Sequence, residues 1–153
     1  MFITDVTQSL EKGGVKYALI GGYAVALHGV VRGTVDVDIV ITMDKKAFKD
    51  AEKALTSLGL QSRLPLTAED VFNYREEYIK NRNLKAWSFV DPANPAHMVD
   101  LVITEDLKNI NTVNKKVDGI NIKVVSIPDL ISIKKTAGRQ QDIEDIKALE
   151  KLL

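Results

Sequence analysis

The chain has 153 residues, 45% of them hydrophobic, and its 21 basic residues balance its 21 acidic ones. This composition predicts a single globular domain over residues 1–153 with a sizeable core, and the zero net charge argues against a strongly basic nucleic-acid-binding surface. The absence of cysteine excludes disulfides and zinc–thiolate sites, and without a membrane-length apolar run or a signal-peptide pattern we expect a cytoplasmic protein.

The first elements in chain order are a helix, a strand and a glycine-marked turn. Asp5 to Lys12 is predicted as a helix, with Asp5 and Gln8 at the spacing of a capping box. Tyr17–Ile20 has the short apolar run of a buried strand. Gly21 and Gly22 follow and open a helix-compatible segment, where backbone amides can point at a phosphate. The alternative is a plain strand-to-helix turn, since glycine is common in turns.

The next strand carries two acids. Residues 35–39 read Val-Asp-Val-Asp-Ile, and strand side chains alternate between faces, so Asp36 and Asp38 are predicted on one face and the apolar residues on the other. Two ionised carboxylates side by side repel each other, and a cation between them relieves this repulsion. Hard divalent ions such as Mg²⁺ prefer such oxygen ligands. The alternative is a half-exposed strand with a solvated acidic face.

The middle of the chain predicts a helix, a loop and a hairpin. Asp44–Leu58 has apolar residues at helical spacing. Residues 61–86 are interpreted as a variable surface loop that contains a short helix capped by Thr67. Strands at Lys85–Val90 and His97–Thr104 then flank a proline-rich turn and form a hairpin.

One acid stands inside the second strand of this hairpin. Asp100 lies within the apolar run Met-Val-Asp-Leu-Val-Ile. A carboxylate in a core strand is costly to bury unless it is paired or bound to a metal. Asp100 is therefore the candidate third carboxylate, and an acid on a solvated strand face is the alternative.

The C-terminal third predicts one strand and two helices. The strand covers Ile120–Ile127, and the first helix runs from Ser126 to Gly138 with a proline in its first turn. Asp142–Leu152 is predicted as the last helix, with Ile143, Ile146 and Leu149 on its buried face. We expect an α+β fold in which a mixed sheet has helices packed mainly on one face, with the helices of residues 127–153 packed on the core.

Together these motifs resemble a known family. Gly21-Gly22 followed by Asp36-Val-Asp38 resembles the nucleotidyltransferase superfamily, which has the fold of DNA polymerase beta. The fuller string, with His28-Gly29 and Arg32-Gly-Thr34 ahead of the acids, resembles its small bacterial members, including abortive-infection (AbiEii-like) toxins. The run from Ile127 through Ala-Gly-Arg139 resembles the C-terminal segment of the same members.

The resemblance implies a metal-dependent transfer of a nucleoside monophosphate from a nucleoside triphosphate, such as ATP, to a hydroxyl of RNA, protein or a small molecule. It implies two Mg²⁺ ions, with Mn²⁺ as an alternative, held by the catalytic acids Asp36, Asp38 and Asp100. It implies nucleotide or phosphate contacts from Gly21, Gly22, Arg32, Thr34, Lys134 and Arg139. The alternatives are a nucleotide-binding module without chemistry and an interaction protein with a cognate toxin or antitoxin partner.

Overall fold

A seven-stranded mixed sheet runs through the computed structural model, which describes all residues, 1–153. Its strands are β1 (Tyr17–Ile20), β2 (Val37–Ile41), β3 (Gln61–Ser62), β4 (Ala86–Asp91), β5 (Asn94–Val102), β6 (Thr112–Val117) and β7 (Ile120–Val125). The helices are α1 (Phe2–Lys12), α2 (Gly21–Leu27), α3 (Lys45–Ser57), α4 (Ala68–Asn73), α5 (Arg75–Arg82), α6 (Ile127–Ala137) and α7 (Gln140–Glu150).

The sheet combines parallel and antiparallel pairs in the order β3-β4-β5-β2-β1-β7-β6. β1 pairs antiparallel with β2 and parallel with β7, while β2 pairs parallel with β5. The outer pairs β4–β5 and β6–β7 are antiparallel hairpins. The predicted α+β class with a mixed sheet is therefore confirmed.

Strand alternation divides the sheet into an apolar face and a face that carries the acids. Val37 and Ile39 of β2 lie opposite Val99 and Leu101 of β5, and all four are fully buried. On β4 the same face presents Trp87, whose ring lies 6.5 Å from that of Phe48 on α3. This apolar face is the centre of the hydrophobic core, since large buried side chains from sheet and helix meet on it.

The first C-terminal helix begins and ends as the sequence predicts, whereas α7 begins at Gln140 and ends at Glu150, two residues earlier at each end than the predicted Asp142–Leu152. Ser126 caps α6, because its hydroxyl accepts the backbone N–H of Asp129. Gly138 ends α6 with a φ of +65°, a conformation that glycine adopts without strain. Leu130 of α6 and Leu149 of α7 are fully buried in the core, so both helices pack on it. None of the helices combines the length and the apolar composition needed to cross a membrane.

Two predictions for the first half of the chain are wrong. The first helix begins at Phe2 with Met1 as its N-cap, so Asp5 lies inside the first turn and caps nothing. Residues 61–86 are not a variable loop but contain β3, α4 and α5. Thr67 does cap α4, in a capping box with Asp70. The buried Val71 of α4 shows why the segment is ordered, since it anchors the helix in the core.

Three further differences concern the acidic strand and the C-terminal region. β2 begins only at Val37, and Val35 is 63% exposed instead of facing the core. β6 was not predicted, because its run of mostly exposed polar residues has no apolar alternation. On α7, Ile143 is 43% exposed, while Asp142 and Asp145 occupy the buried face beside Leu149.

Candidate active site

Two of the three predicted acids are direct neighbours on adjacent strands. Asp38 of β2 and Asp100 of β5 are partners in the parallel register, so their side chains leave the sheet on the same face. Ser88 of β4 continues this row, since it is the register partner of Asp100. Its hydroxyl donates a hydrogen bond of 2.5 Å to Oδ1 of Asp100. The sequence analysis missed Ser88, which fixes the orientation of the Asp100 carboxylate.

The proximity of the acids changes the protonation of Asp38. The pKa of Asp38 is raised from 3.8 to about 7, and burial is the largest cause. The charge of Asp100, a hydrogen bond that protonated Asp38 donates to Asp100 and the charge of Asp36 contribute to this rise, while Lys134 opposes it. Near neutral pH the two carboxylates therefore hold a proton between them, which is the response of acids that lack a countercharge.

Asp36 lies at the edge of this pair. It precedes β2 and is exposed, yet its charge contributes to the raised pKa of Asp38. No three acidic or histidine side chains lie close enough to form a ready-made metal site, so Asp36 would have to turn towards the pair to complete one. The donor set fits a hard divalent cation, because it consists of carboxylate oxygens with unbalanced negative charge.

The glycine pair packs tightly against the polar side chains of the site. Gly21 has a φ of +71°, and a Cβ on it would overlap Oδ2 of Asp38. A Cβ on Gly22 would collide with the Arg32 guanidinium and would lie 2.6 Å from Oγ1 of Thr34. Four predicted site residues thus meet beside Asp38, and the two glycines are required for that approach.

A buried network of charges joins this group to the C-terminal helices. Nε of Arg32 lies 3.3 Å from Oδ1 of Asp145. Nζ of Lys134 lies 2.9 Å from Oδ2 of Asp145 and 3.4 Å from Oδ1 of Asp142. The side chains of Lys134, Asp142 and Asp145 are at most 7% exposed. The sequence does not predict that these two acids are buried, because aspartate is almost never fully buried unless it is paired.

Arg139 is held by one of these acids but remains open to solvent. Its side chain is 73% exposed. Its Nε and one terminal nitrogen donate to the two carboxylate oxygens of Asp142 at 2.8 and 3.3 Å. Burial raises the pKa of Asp142, but the hydrogen bonds from Arg139 and the charges of Arg139 and Lys134 outweigh it, so the pKa is lowered. The guanidinium is therefore fixed along one edge while its planar faces are free.

A cleft of about 140 Å³ separates α6 from the acid-bearing face of the sheet. Gly21 and Asp38 line it from the sheet, and Lys134, Arg139 and Asp142 line it from the C-terminal helices. A larger cavity of about 510 Å³ lies beside Tyr17 and includes none of the predicted site residues. The chemistry of the lining residues, not the cavity volume, thus identifies the smaller cleft as the candidate site.

Several known structures share this fold. The antibiotic-resistance factor ANT(2'')-Ia aligns over 97% of this chain and 80% of its own, with a TM-score of 0.66 at 10% identity. The lincosamide antibiotic adenylyltransferase LnuA aligns over 99% of this chain and 96% of its own, with a TM-score of 0.65 at 14% identity. An antigenic nucleotidyltransferase-like protein from Paracoccidioides brasiliensis aligns over 99% of this chain and 73% of its own, with a TM-score of 0.60 at 19% identity. At such identities the likeness shows the fold alone.

Sequence comparison supplies the family. No curated protein matches the chain. A family model described as a nucleotidyltransferase of unknown function (DUF6036) matches residues 3–152. That match spans nearly all of the sequence and includes every residue of the candidate site. The chain therefore belongs to this nucleotidyltransferase family.

Proposed function

We propose that the protein transfers a nucleoside monophosphate from a nucleoside triphosphate to a hydroxyl of an acceptor, with the help of divalent cations. The observation that carries the proposal is the pairing of Asp38 with Asp100 on one face of the sheet, directly against Gly21. Two carboxylates that must share a proton in the absence of a cation form a site in which a cation is favoured.

Mg²⁺, or Mn²⁺ in its place, fits the oxygen donors of this site. Asp38 and Asp100 would hold it, and Asp36 would join them from the segment that precedes β2. Two bound ions would neutralise the phosphate charge and lower the pKa of the acceptor hydroxyl. The residues of the chain then have three tasks, which are to hold the triphosphate, to orient the acceptor and to take up its proton.

The proposed reaction is an in-line displacement at the α-phosphorus. The acceptor oxygen forms the new bond to that phosphorus, and the bond from phosphorus to the bridging oxygen of the β-phosphate breaks, so pyrophosphate leaves. Asp100 is assigned as the group that takes the hydroxyl proton, because Ser88 holds its carboxylate in place. Gly21, Gly22, Arg32 and Thr34 meet at the strand-to-helix turn, and together with Lys134 and Arg139 they are the proposed nucleotide and phosphate contacts.

A small hydroxylated molecule is the acceptor class that the structural neighbours favour. LnuA is described in a lincomycin-bound form, and ANT(2'')-Ia in complex with adenylyl-2''-tobramycin. Both are proteins of this fold for which an adenylyl group and a small molecule are named. The present chain aligns with 96% of LnuA, so its size is similar to that of an enzyme that modifies an antibiotic. We extend the acceptor class, and ATP as the donor, to this chain.

Labelled triphosphates test the proposal. Each α-labelled triphosphate is incubated with the protein, Mg²⁺ and a panel of small hydroxylated molecules, with cell extract as the source of RNA and protein acceptors. We expect transfer of label with release of pyrophosphate. Asp100→Asn, which keeps the shape of the side chain, is expected to lower the rate at least about 100-fold. Equal labelling by wild type and Asp100→Asn would refute the assignment.

The resemblance to abortive-infection toxins remains a prediction with its own test. A toxin of this kind is expected to bind the product of an adjacent gene tightly. Co-expression of the two proteins and size-exclusion chromatography measure that binding. If the protein acts only by binding a partner, Asp38→Asn leaves its cellular effects intact. If it acts as an enzyme, this variant abolishes them.

A further inference from the structure

We propose that the cleft between α6 and the sheet binds the nucleobase of the triphosphate, stacked between an apolar wall and the guanidinium of Arg139. This inference rests on the proposed function and adds to it the position of the base and the way in which it is read. Three properties of the cleft carry it, namely its size, the chemistry of its lining and the orientation of Arg139.

The cleft has room for one ring system. Its volume is about 140 Å³, whereas pockets that enclose a whole drug-sized molecule have volumes of about 300–1,000 Å³. An acceptor with several rings therefore does not fit inside it. A nucleobase does, with the α-phosphate at the end of the cleft where Asp38 lies.

Five of the ten residues that line the cleft are hydrophobic. They come from β1, β5 and α6, and they are Ile20, Val102, Leu130, Ile133 and Ala137. No Ser, Thr, Asn or Gln side chain lines the cleft. A sugar-like acceptor needs several hydrogen bonds to replace its water, and this wall offers none. The face of a base needs none, because it is buried by stacking.

Arg139 supplies the opposite surface. Asp142 occupies one edge of its guanidinium with two hydrogen bonds, yet the side chain is 73% exposed. A planar cation held by its edge presents a flat face, and such faces stack on aromatic rings and bases. Asp38, the cleft and Arg139 then follow one another as the groups of a nucleotide do. The α-phosphate lies at the acids, and the base lies beyond it in the cleft, against Arg139.

The residues that line the cleft also predict how strongly the site distinguishes one base from another. Every polar side chain in the cleft other than Asp38 is engaged in an ion pair, since Lys134 and Arg139 contact Asp142. No neutral side chain is free to read the hydrogen-bonding edge of a base. ATP and GTP are therefore expected to bind with affinities that differ by less than about 10-fold, far less than a site that hydrogen-bonds the distinguishing group would give.

Calorimetric titration of the protein in Mg²⁺ tests the proposal with two ligands, a non-hydrolysable ATP analogue and inorganic tripolyphosphate. Ala137→Leu fills the mouth of the cleft, and Thr136→Leu is the matched control on the neighbouring exposed position, which does not line the cleft. We expect Ala137→Leu to lower the affinity for the ATP analogue at least about 10-fold. Its tripolyphosphate affinity, and both affinities of Thr136→Leu, are expected to stay within about 2-fold of wild type.

The Arg139→Lys variant distinguishes stacking on the base from contact with phosphate, because lysine keeps the positive charge but lacks the planar guanidinium. We expect this variant to bind the ATP analogue at least about 5-fold more weakly than wild type and to bind tripolyphosphate with unchanged affinity. Unchanged binding of the analogue by Ala137→Leu, or equal losses for both ligands in Arg139→Lys, would overturn the base assignment while the proposed function stood. If wild-type protein bound neither ligand, the proposed function and the base assignment would fall together.

Discussion

Asp38 and Asp100 share one register position on two parallel strands, which forces two carboxylates together on one face of the sheet. Burial of Asp38 and the neighbouring charge of Asp100 together raise the pKa of Asp38 to about 7. The close pair of carboxylates, part of the raised pKa and the proposed metal chemistry are thus consequences of one strand pairing, and this connection can be measured.

The first prediction concerns stability as a function of pH in the presence of a chelator. The pKa of Asp38 is about 7 in the folded protein and 3.8 ordinarily, so the folded state binds more protons than the unfolded state between these values. The free energy of unfolding therefore falls as pH rises through this window. At 1.36 kcal/mol for each pKa unit, the loss is at most about 4 kcal/mol.

Urea unfolding at about pH 5 and about pH 8 measures the part of this loss that falls above pH 5, about 3 kcal/mol. Asp38→Asn is expected to remove most of the pH dependence, because it carries no titrating group at that position. Mg²⁺ is expected to stabilise the wild type more at the higher pH, where Asp38 is ionised. Parallel pH profiles for wild type and Asp38→Asn would show that the pKa of Asp38 is not raised in the folded protein.

The second prediction compares two glycines with nearly the same backbone conformation. Gly21 and Gly119 have φ values of +71° and +77°, so an alanine at either position carries a similar strain, roughly 1–2 kcal/mol. Only at Gly21 would the new Cβ meet another residue, the carboxylate of Asp38, since nothing lies within 4 Å at Gly119. Both variants should lose stability through this strain, Gly21→Ala should lose more because of the overlap with Asp38, and only Gly21→Ala should lose nucleotide binding.

Thermal unfolding and titration with the ATP analogue on the same samples check this comparison. The expected result for Gly119→Ala is a lowered melting temperature with normal binding. Equal binding by the two variants would mean that the close approach of Gly21 to Asp38 has no part in the site.

The third prediction concerns Asp145, the acid that joins Arg32 to Lys134. Its side chain is 2% exposed and contacts both cations. Removal of one member of a buried ion pair leaves a buried charge without compensation and costs about 3–5 kcal/mol. Asp145→Ala should therefore destabilise the protein by this amount, and it should also weaken triphosphate binding if Arg32 and Lys134 contact phosphates.

Glu76→Ala is the control for Asp145→Ala. Glu76 is 73% exposed and pairs with Lys80 on the surface of α5, so its removal should leave the denaturation midpoint nearly unchanged. Urea unfolding of both variants provides the comparison. Similar midpoints for the two would indicate that the charge network around Asp145 contributes little to stability.

The main motifs of the candidate site could be recognised in the sequence because each obeys a local rule. Asp36 and Asp38 stand at strand spacing, Asp100 interrupts an apolar strand, and Gly21-Gly22 marks a turn. The residues that were missed depend on contacts between distant parts of the chain. Ser88 faces Asp100 only because the β4–β5 hairpin changes register between Val90 and Asp91, and the turn sequence does not specify such a bulge.

The errors in the helices have a similar origin. Helical periodicity assigned Ile143 to the buried face of α7, whereas Asp142 and Asp145 occupy that face. The charges of Lys134, Arg32 and Arg139 stabilise acids where the pattern expects apolar side chains. Periodicity measures hydrophobicity alone and does not anticipate ion pairs from other elements. A functional site is where such conflicts between local pattern and final fold are expected.

Calorimetric titration with the Mg²⁺-bound ATP analogue determines whether Asp38 and Asp100 jointly hold the cation that binds the triphosphate. Wild type is compared with Asp38→Asn, Asp100→Asn and the double variant. We predict that each single variant loses at least about 10-fold in affinity and that the double variant loses little more, because the two side chains act on one ion. Binding of the analogue by the double variant with wild-type affinity would contradict the claim.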